Sequence, residues 1–350
     1  MLAELRLKHF RSYKDDSFEF SPGVNIVVGP NASGKTNLLE AILMIARGTS
    51  YRAKDSELIQ FNQSWARLDA RLDRGSTRSL KLQADKVPNK LYELDSKAYQ
   101  RLNLAHTLPV VLFEPNHLQL VSGGPERRRD YLDDLLEQTT AGYGSLRRQY
   151  RRTLAQRNAL LKRPASQLET QVFPWNVRLS ELGGQIARAR FQLTSNLQTN
   201  LPKLYKELSH SKTKAALRYD IRWPAENYET QLLKQLEADL GLDQLRGFTA
   251  RGPHREDLLL LFDDRPAQET ASRGEMRTLV LTLKILELQL LTGARDMTPL
   301  LLLDDVFSEL DGARRRALTE HLRNYQTFIT TTDADIVLHH FTDDCQIIAL

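Results

Sequence analysis

The chain has a single cysteine, Cys345, in 350 residues, so no internal disulfide can staple it. It also lacks an apolar run of the roughly 20 residues that a bilayer-spanning helix needs. The most apolar stretch, Leu279 to Leu291, is interrupted by Lys284 and Glu287. The opening Met1-Leu2-Ala3-Glu4-Leu5-Arg6 has no apolar core of a secretory signal. Internal repeats, low-complexity tracts and collagen-like bias are missing as well. These absences argue against a disulfide scaffold, a membrane-spanning protein and a solenoid, and predict a cytoplasmic globular protein without a membrane partner.

The 41% of hydrophobic residues suffice for a core of ordinary size, and 350 residues leave room for two or three domains. Formal charge is +5, a mild bias toward polyanions, so where the basic residues lie matters more than their sum.

Leu2 to Phe10 alternates apolar and polar residues, and Val24 to Val28 is a β-branched run ending at Gly29; both predict strands. From Thr36, the positions Leu38, Leu39, Ile42, Leu43 and Ala46 recur at helical spacing, with Gly48 as a C-cap. Alternating pieces between residues 65 and 100, broken at Gly75 and Pro88-Asn89, predict an antiparallel meander, and Val110 to Phe113 another strand. From Glu126 to about Leu245 the patterns are mostly helical, with breaks at Gly142 to Gly144, Pro164, Pro174, Pro202 and Pro224. Then follow a strand at Leu258 to Phe262, a helix at Glu275 to Leu291, an aliphatic strand at Leu300 to Leu303, and a final strand pair at Thr327 to Thr331 and Gln346 to Leu350.

Gly29-Pro30-Asn31-Ala32-Ser33-Gly34-Lys35-Thr36 fits G-x-x-x-x-G-K-[ST], between a predicted strand and a predicted helix, as the mechanism of a phosphate loop requires. Main-chain N–H groups of such a loop point at phosphates. Lys35 reaches the β and γ phosphates of ATP, and the Thr36 hydroxyl ligates Mg²⁺. Leu300-Leu301-Leu302-Leu303-Asp304-Asp305 supplies the second half. Asp304 is placed to hold Mg²⁺ through its waters, and Asp305 to orient or deprotonate an attacking water. Taken alone, either stretch could be a glycine turn or a buried strand running into an acidic turn; together they specify one chemistry. Lys35 and Asp304 lie 269 residues apart (304 minus 35), so a large insertion splits the nucleotide fold.

Ala271-Ser272-Arg273-Gly274-Glu275 precedes an amphipathic helix and resembles the ABC signature, in which a serine and a glycine at a helix N-terminus meet the γ-phosphate held by another subunit. Glu275 stands where glutamine is usual, and out of context Ser272 reads as an ordinary N-cap. Ser308-Glu309-Leu310-Asp311 resembles the D-loop of ABC ATPases, or is a loop before a helix capped by Asp311. A glutamine loop has only Glu114 or Gln119 to offer, and Thr330-Thr331-Thr332-Asp333 carries no switch histidine.

Leu7 to Tyr13, Pro115 to Asp133, Gln156 to Leu161, Gly252-Pro253-His254-Arg255-Glu256-Asp257-Leu258 and Leu303 to Asp311, in that order, resemble the RecF family of SMC-like ATPases. The fold so implied is an α/β head of the ABC/SMC type: a P-loop mixed sheet with an antiparallel β subdomain, plus an inserted helical lobe. The expected boundaries are 1–122 with 246–350 for the ATPase lobe, including the signature helix 272–291, and 123–245 for the helical lobe. The resemblance further implies an ATP-induced homodimer, weak DNA-dependent ATP hydrolysis, binding to double-stranded and gapped DNA, and work with RecR and RecO in loading RecA.

Residues 147 to 163 contain Arg147, Arg148, Arg151, Arg152, Arg157, Lys162 and Arg163 and no acid. Leu146, Tyr150 and Leu154 form an apolar stripe, which sets the arginines toward solvent, ready for duplex phosphates. Alternatively they form a solvated face paired with acids elsewhere. No aromatic cluster interleaves with them, which disfavours single-strand stacking. His254 has no second ligand at metal spacing and reads as a turn residue. The competing class is a P-loop ATPase not acting on DNA, either transporter-type or a small-molecule kinase; no acceptor-pocket motif supports the kinase.

Overall fold

The computed structural model describes residues 1–84, 89–339 and 345–350, and these divide into two units, Met1–His117 with Glu287–Leu350, and Leu118–Leu286. The predicted break at Pro88 lies outside the described residues.

In the first unit, Leu2–Phe10 buries Leu2, Leu5, Leu7 and Phe10 and pairs antiparallel with both Tyr13–Glu19 and Trp65–Leu72. Thr77–Gln83, Asn89–Leu94 and Lys97–Tyr99 continue the sheet, so the predicted meander forms and the first two strands join it. A second sheet of five strands is parallel throughout, in the order Cys345–Ala349, Val24–Val28, Thr327–Thr331, Leu300–Asp304, Val110–Phe113. Val24–Val28 and Leu300–Asp304 are nearly continuous aliphatic runs, and Thr327–Thr331 between them is buried throughout, as strands covered on both faces are. The two last strands do not pair with one another; each lies against Val24–Val28, on opposite edges.

The helix Lys35–Arg47 shares one core with both sheets. Leu38, Leu39, Ile42, Leu43 and Ile45 pack with Leu5, Leu68 and Leu80 of the antiparallel sheet and with Val27, Leu302 and Phe328 of the parallel one. Gly48 caps it as the spacing predicts, its N–H bonding the Met44 carbonyl at 2.8 Å. The start of this helix is thereby fixed at the end of Val24–Val28.

The second unit differs from the expected lobe in extent and content. It holds the helices Pro125–Thr139, Tyr143–Leu160, Ala165–Ser209, Tyr228–Ala238 and Leu240–Arg246, but also a small sheet. In that sheet Ala215–Asp220, which the helical reading passed over, pairs antiparallel with Asp257–Phe262. This pairing draws the chain from 246 to 286 into the second unit rather than the ATPase lobe. The helix Arg273–Ala294 crosses the division between the units. Pro174 and Pro202 do not break the chain either. Both lie inside the 45-residue helix Ala165–Ser209, whose flanking turns pack on Tyr143–Leu160, Tyr228–Ala238 and Ala215–Asp220. Packing of this kind outweighs the local loss of a helix hydrogen bond. Among the described residues, no helix is long and apolar enough to cross a membrane.

Candidate nucleotide site

Gly29 to Gly34 turns sharply between Val24–Val28 and Lys35–Arg47. Gly34 has φ 109°, a conformation that side chains rarely adopt, and the Tyr13 hydroxyl donates to its carbonyl at 3.0 Å. A Cβ on Gly29 would stand 2.6 Å from Ser33 Oγ and 2.8 Å from the Leu350 carbonyl, so only glycine fits there. Pro30, Asn31 and Ala32 are exposed, whereas Gly34 and Lys35 are buried and Thr36 is half-buried. Lys35 Nζ donates to the carbonyls of Gly29 (2.6 Å) and Pro30 (2.8 Å), folding the loop around the ammonium. Ser33 Oγ is buried without a hydrogen-bond partner, an orphan that an anion in the loop would satisfy.

Leu300–Asp304 delivers Asp304 to the same place. Thr36 Oγ1 donates to Asp304 Oδ1 at 3.0 Å across 268 residues of chain. Thr330, on the neighbouring strand, donates to the same oxygen at 2.8 Å, and the Tyr51 hydroxyl donates to Oδ2 at 3.2 Å. Burial and the negative charge of Asp304 push the Tyr51 phenol well above its ordinary value, so it stays a donor. Asp305 is exposed at φ 53°, with its N–H bonded to Thr330 Oγ1 at 2.9 Å. Thr330 thus ties the two acids together. A hydroxyl and a carboxylate beside a phosphate loop fit Mg²⁺, which keeps several waters and takes phosphate oxygens.

Ser272 and Gly274 open the helix Arg273–Ala294 in the second unit and so do not join the loop within the unit that carries it. Ser272 and Glu275 form a capping box. Ser272 N and Oγ donate to Glu275 Oε2 at 2.9 and 2.8 Å, and Glu275 N donates back to Ser272 Oγ at 3.3 Å. Asp311 caps the helix Gly312–Leu322 through Arg314 N, the plainer of its two readings.

The arginine helix needs correction at two positions. Arg147 is mostly covered and lies 2.5 Å from Asp130, 2.8 Å from Asp133 and 3.2 Å from Glu137, all on the preceding helix. Arg157 is fully buried against Asp243 at 2.7 Å. Their acids are absent from residues 147 to 163, but the fold brings them in from elsewhere. Arg148, Arg151 and Arg152 are exposed, and among the described residues only Arg151 has an acid near it, Asp130 at 3.7 Å.

The model of the RecF/RecN/SMC N-terminal domain matches residues 1–344. The DNA replication and repair protein RecF of Heliobacterium modesticaldum is 34% identical over 97% of this chain and 93% of its own length. That of Acaryochloris marina is 35% identical over 100% and 97%. The chain belongs to the RecF family. A solved structure of the recombination mediator protein RecF with ATP, in the RecFOR pathway, superposes with TM-score 0.86 at 30% identity, covering 100% of this chain and 97% of that one. An SMC head bound to the C-winged helix domain of ScpA shares the fold at TM-score 0.56 and 17% identity.

Within this RecF-family site, sequence patterns point to the loop and the acids but not to Tyr51, Thr330 or the pair Arg11–Glu40. Glu40 is fully buried in the loop helix and takes both Arg11 Nε (2.8 Å) and Nη2 (3.1 Å). That pair anchors the turn whose Ser12 and Tyr13 bond Asn37 and Gly34. A usable signal was the family block Leu7 to Tyr13; the segment Thr330 to Asp333 drew attention only for its missing histidine, and nothing marks Tyr51 in the sequence.

Proposed function

We propose that this chain is an ATP-dependent DNA-binding protein of recombination and repair, whose ATP-closed homodimer clamps duplex or gapped DNA. The observation that carries this reading is the 3.0 Å contact of Thr36 with Asp304, which joins two distant motifs in one triphosphate pocket. Lys35 exchanges the carbonyls of Gly29 and Pro30 for the β and γ phosphates of ATP. Mg²⁺, when bound, neutralises phosphate charge. Thr36 can keep its proton on Asp304 while its oxygen lone pairs face the metal. Asp305, exposed beside the pocket, orients or deprotonates the attacking water.

Ser272 and Gly274 of a second copy complete the pocket from the γ-phosphate side, where the N-terminus of their helix faces the anion. Closure then follows ATP, because only the closed form gains these contacts. Hydrolysis is slow and releases the clamp. The exposed Arg148, Arg151 and Arg152 contact duplex phosphates. The RecF proteins that this chain resembles are named for replication and repair and for the RecFOR pathway; loading of RecA with RecO and RecR in the cytoplasm is the role we extend to it.

Sedimentation of the protein with ATP, with duplex DNA and with both tests this. The expected result is a dimer with ATP, strengthened by DNA, and lost in Lys35→Ala. A monomer under saturating ATP would remove the clamp, and a dimer indifferent to DNA would favour a transporter-type ATPase.

A further inference from the structure

We infer that Tyr51 is a positioning residue for the divalent cation, fixing the one acceptor site that Asp304 has left to offer; this rests on the nucleotide reading above. A carboxylate has about four lone-pair sites. On Asp304, Oδ1 already takes Thr36 and Thr330, at 3.0 and 2.8 Å, and Oδ2 takes Tyr51 at 3.2 Å. What remains is on Oδ2, and Tyr51 decides its direction.

Tyr51 is itself held rigidly. It sits just beyond the Gly48 cap in a turn built on Ser50, whose hydroxyl donates to the buried Glu40 at 2.5 Å and accepts from Arg52 N and Ala53 N at 3.1 and 3.0 Å. Glu40 belongs to the same helix as Lys35 and Thr36. The turn that aims Tyr51 at Asp304 is therefore fastened to the helix that carries the phosphate loop. Tyr51 is partly buried and its hydroxyl needs some acceptor, but packing alone does not call for the acid that faces the metal. Without the hydroxyl, Oδ2 has two open lone-pair sites while Thr36 and Thr330 still hold Oδ1, so the water-mediated hold on the cation has no single direction and loosens.

The test is an Mg²⁺ titration of binding to a fluorescent ATP analogue, for wild type, Tyr51→Phe and Tyr51→His. Loss of such an outer partner typically weakens metal binding at least tenfold. Tyr51→Phe should therefore need about ten times more Mg²⁺ for half-maximal binding, with nucleotide affinity in EDTA and melting temperature unchanged. Tyr51→His, which keeps a donor, should recover part of the loss, and it carries the test alone should Tyr51→Phe misfold. An unchanged or lower Mg²⁺ requirement overturns the inference, as does an equal loss with and without metal. Wild type without any Mg²⁺-dependent binding would instead bring down the nucleotide reading itself.

Discussion

Glu275 accepts two hydrogen bonds from Ser272, at 2.9 Å from its N–H and 2.8 Å from its hydroxyl, so the serine proposed to meet a γ-phosphate is already engaged by a carboxylate. To meet a γ-phosphate, the hydroxyl has to leave an anion for another anion that the first one repels. Glu275→Gln keeps the cap while removing the charge, so the ATP concentration for half-maximal dimerisation should fall, by about two- to fivefold for one exposed charge. Glu275→Ala loses the box and should cost about 1 kcal/mol of stability. Light scattering against ATP concentration and chemical denaturation read the two effects. A glutamine variant that dimerises no more readily than wild type would show that the carboxylate is only a cap.

Arg148 and Arg152 are exposed without an acidic partner among the described residues, whereas Arg147 is held by three acids. Reversing Arg148 and Arg152 to glutamate should weaken duplex binding and reduce the slope of log affinity against log salt by about 2, since each phosphate contact contributes roughly 0.9. ATP binding should persist. Arg147→Glu should act on folding instead, because it sets a fourth carboxylate against Asp130, Asp133 and Glu137. Fluorescence anisotropy across a salt titration, with melting curves for all variants, separates these. Equal slopes for wild type and the double reversal would exclude this helix as the DNA contact.

The contrast shows what a sequence can reveal here. The phosphate loop and the acidic strand are legible because their chemistry fixes residue types at fixed local spacing. Arg147 and Arg157 are not, since what decides an arginine's fate is an acid that the fold delivers: Asp243 reaches Arg157 from 86 residues away. Pro174 and Pro202 mislead for the same reason, as tertiary packing overrides a local helix breaker. Ala215–Asp220 does carry strand alternation, with Ala215, Leu217 and Tyr219 buried, but the run is short and sits among helical patterns. Tyr51 and Thr330 meet Asp304 only through the sheet and the turn after Gly48, and no periodicity encodes that meeting.

Arg157 and Asp243 are both fully buried, and Arg157 also bonds Asn176 Oδ1 at 2.7 Å, Thr249 Oγ1 at 2.7 Å and the Leu236 carbonyl at 3.2 Å. The pair and its partners join four helices of the second unit and the turn before Ala250. Arg157→Met strands Asp243 as an uncompensated buried charge and should destabilise by about 3–5 kcal/mol. Arg157→Met with Asp243→Leu removes that penalty, so the double variant should be more stable than the sum of the single losses allows. Urea denaturation of all four proteins gives the coupling. Strict additivity would mean that the two side chains do not act as a unit.

His254 should make the second unit sensitive to mild acid. Its Nε2 lies 3.0 Å from the Thr249 carbonyl, which can only accept, so Nε2 carries the proton and Nδ1 accepts from the Tyr150 hydroxyl at 2.7 Å. Burial, opposed by the Thr249 hydrogen bond and assisted by Arg255, Arg129 and Arg190, pushes the ring down from 6.5 to about 4. Between those two values the unfolded chain binds a proton that the folded chain refuses. Stability therefore falls as pH drops from 6.5 toward 4, by about 1.4 kcal/mol per unit and about 3 kcal/mol in all. Glu256, whose carboxyl burial raises above its ordinary 4.5, works in the opposite sense above pH 4.5. His254→Gln can still donate to Thr249 and accept from Tyr150, yet it does not titrate. Its urea midpoint should decline less than that of wild type between pH 7 and pH 4.5, and parallel declines would place the acid sensitivity elsewhere.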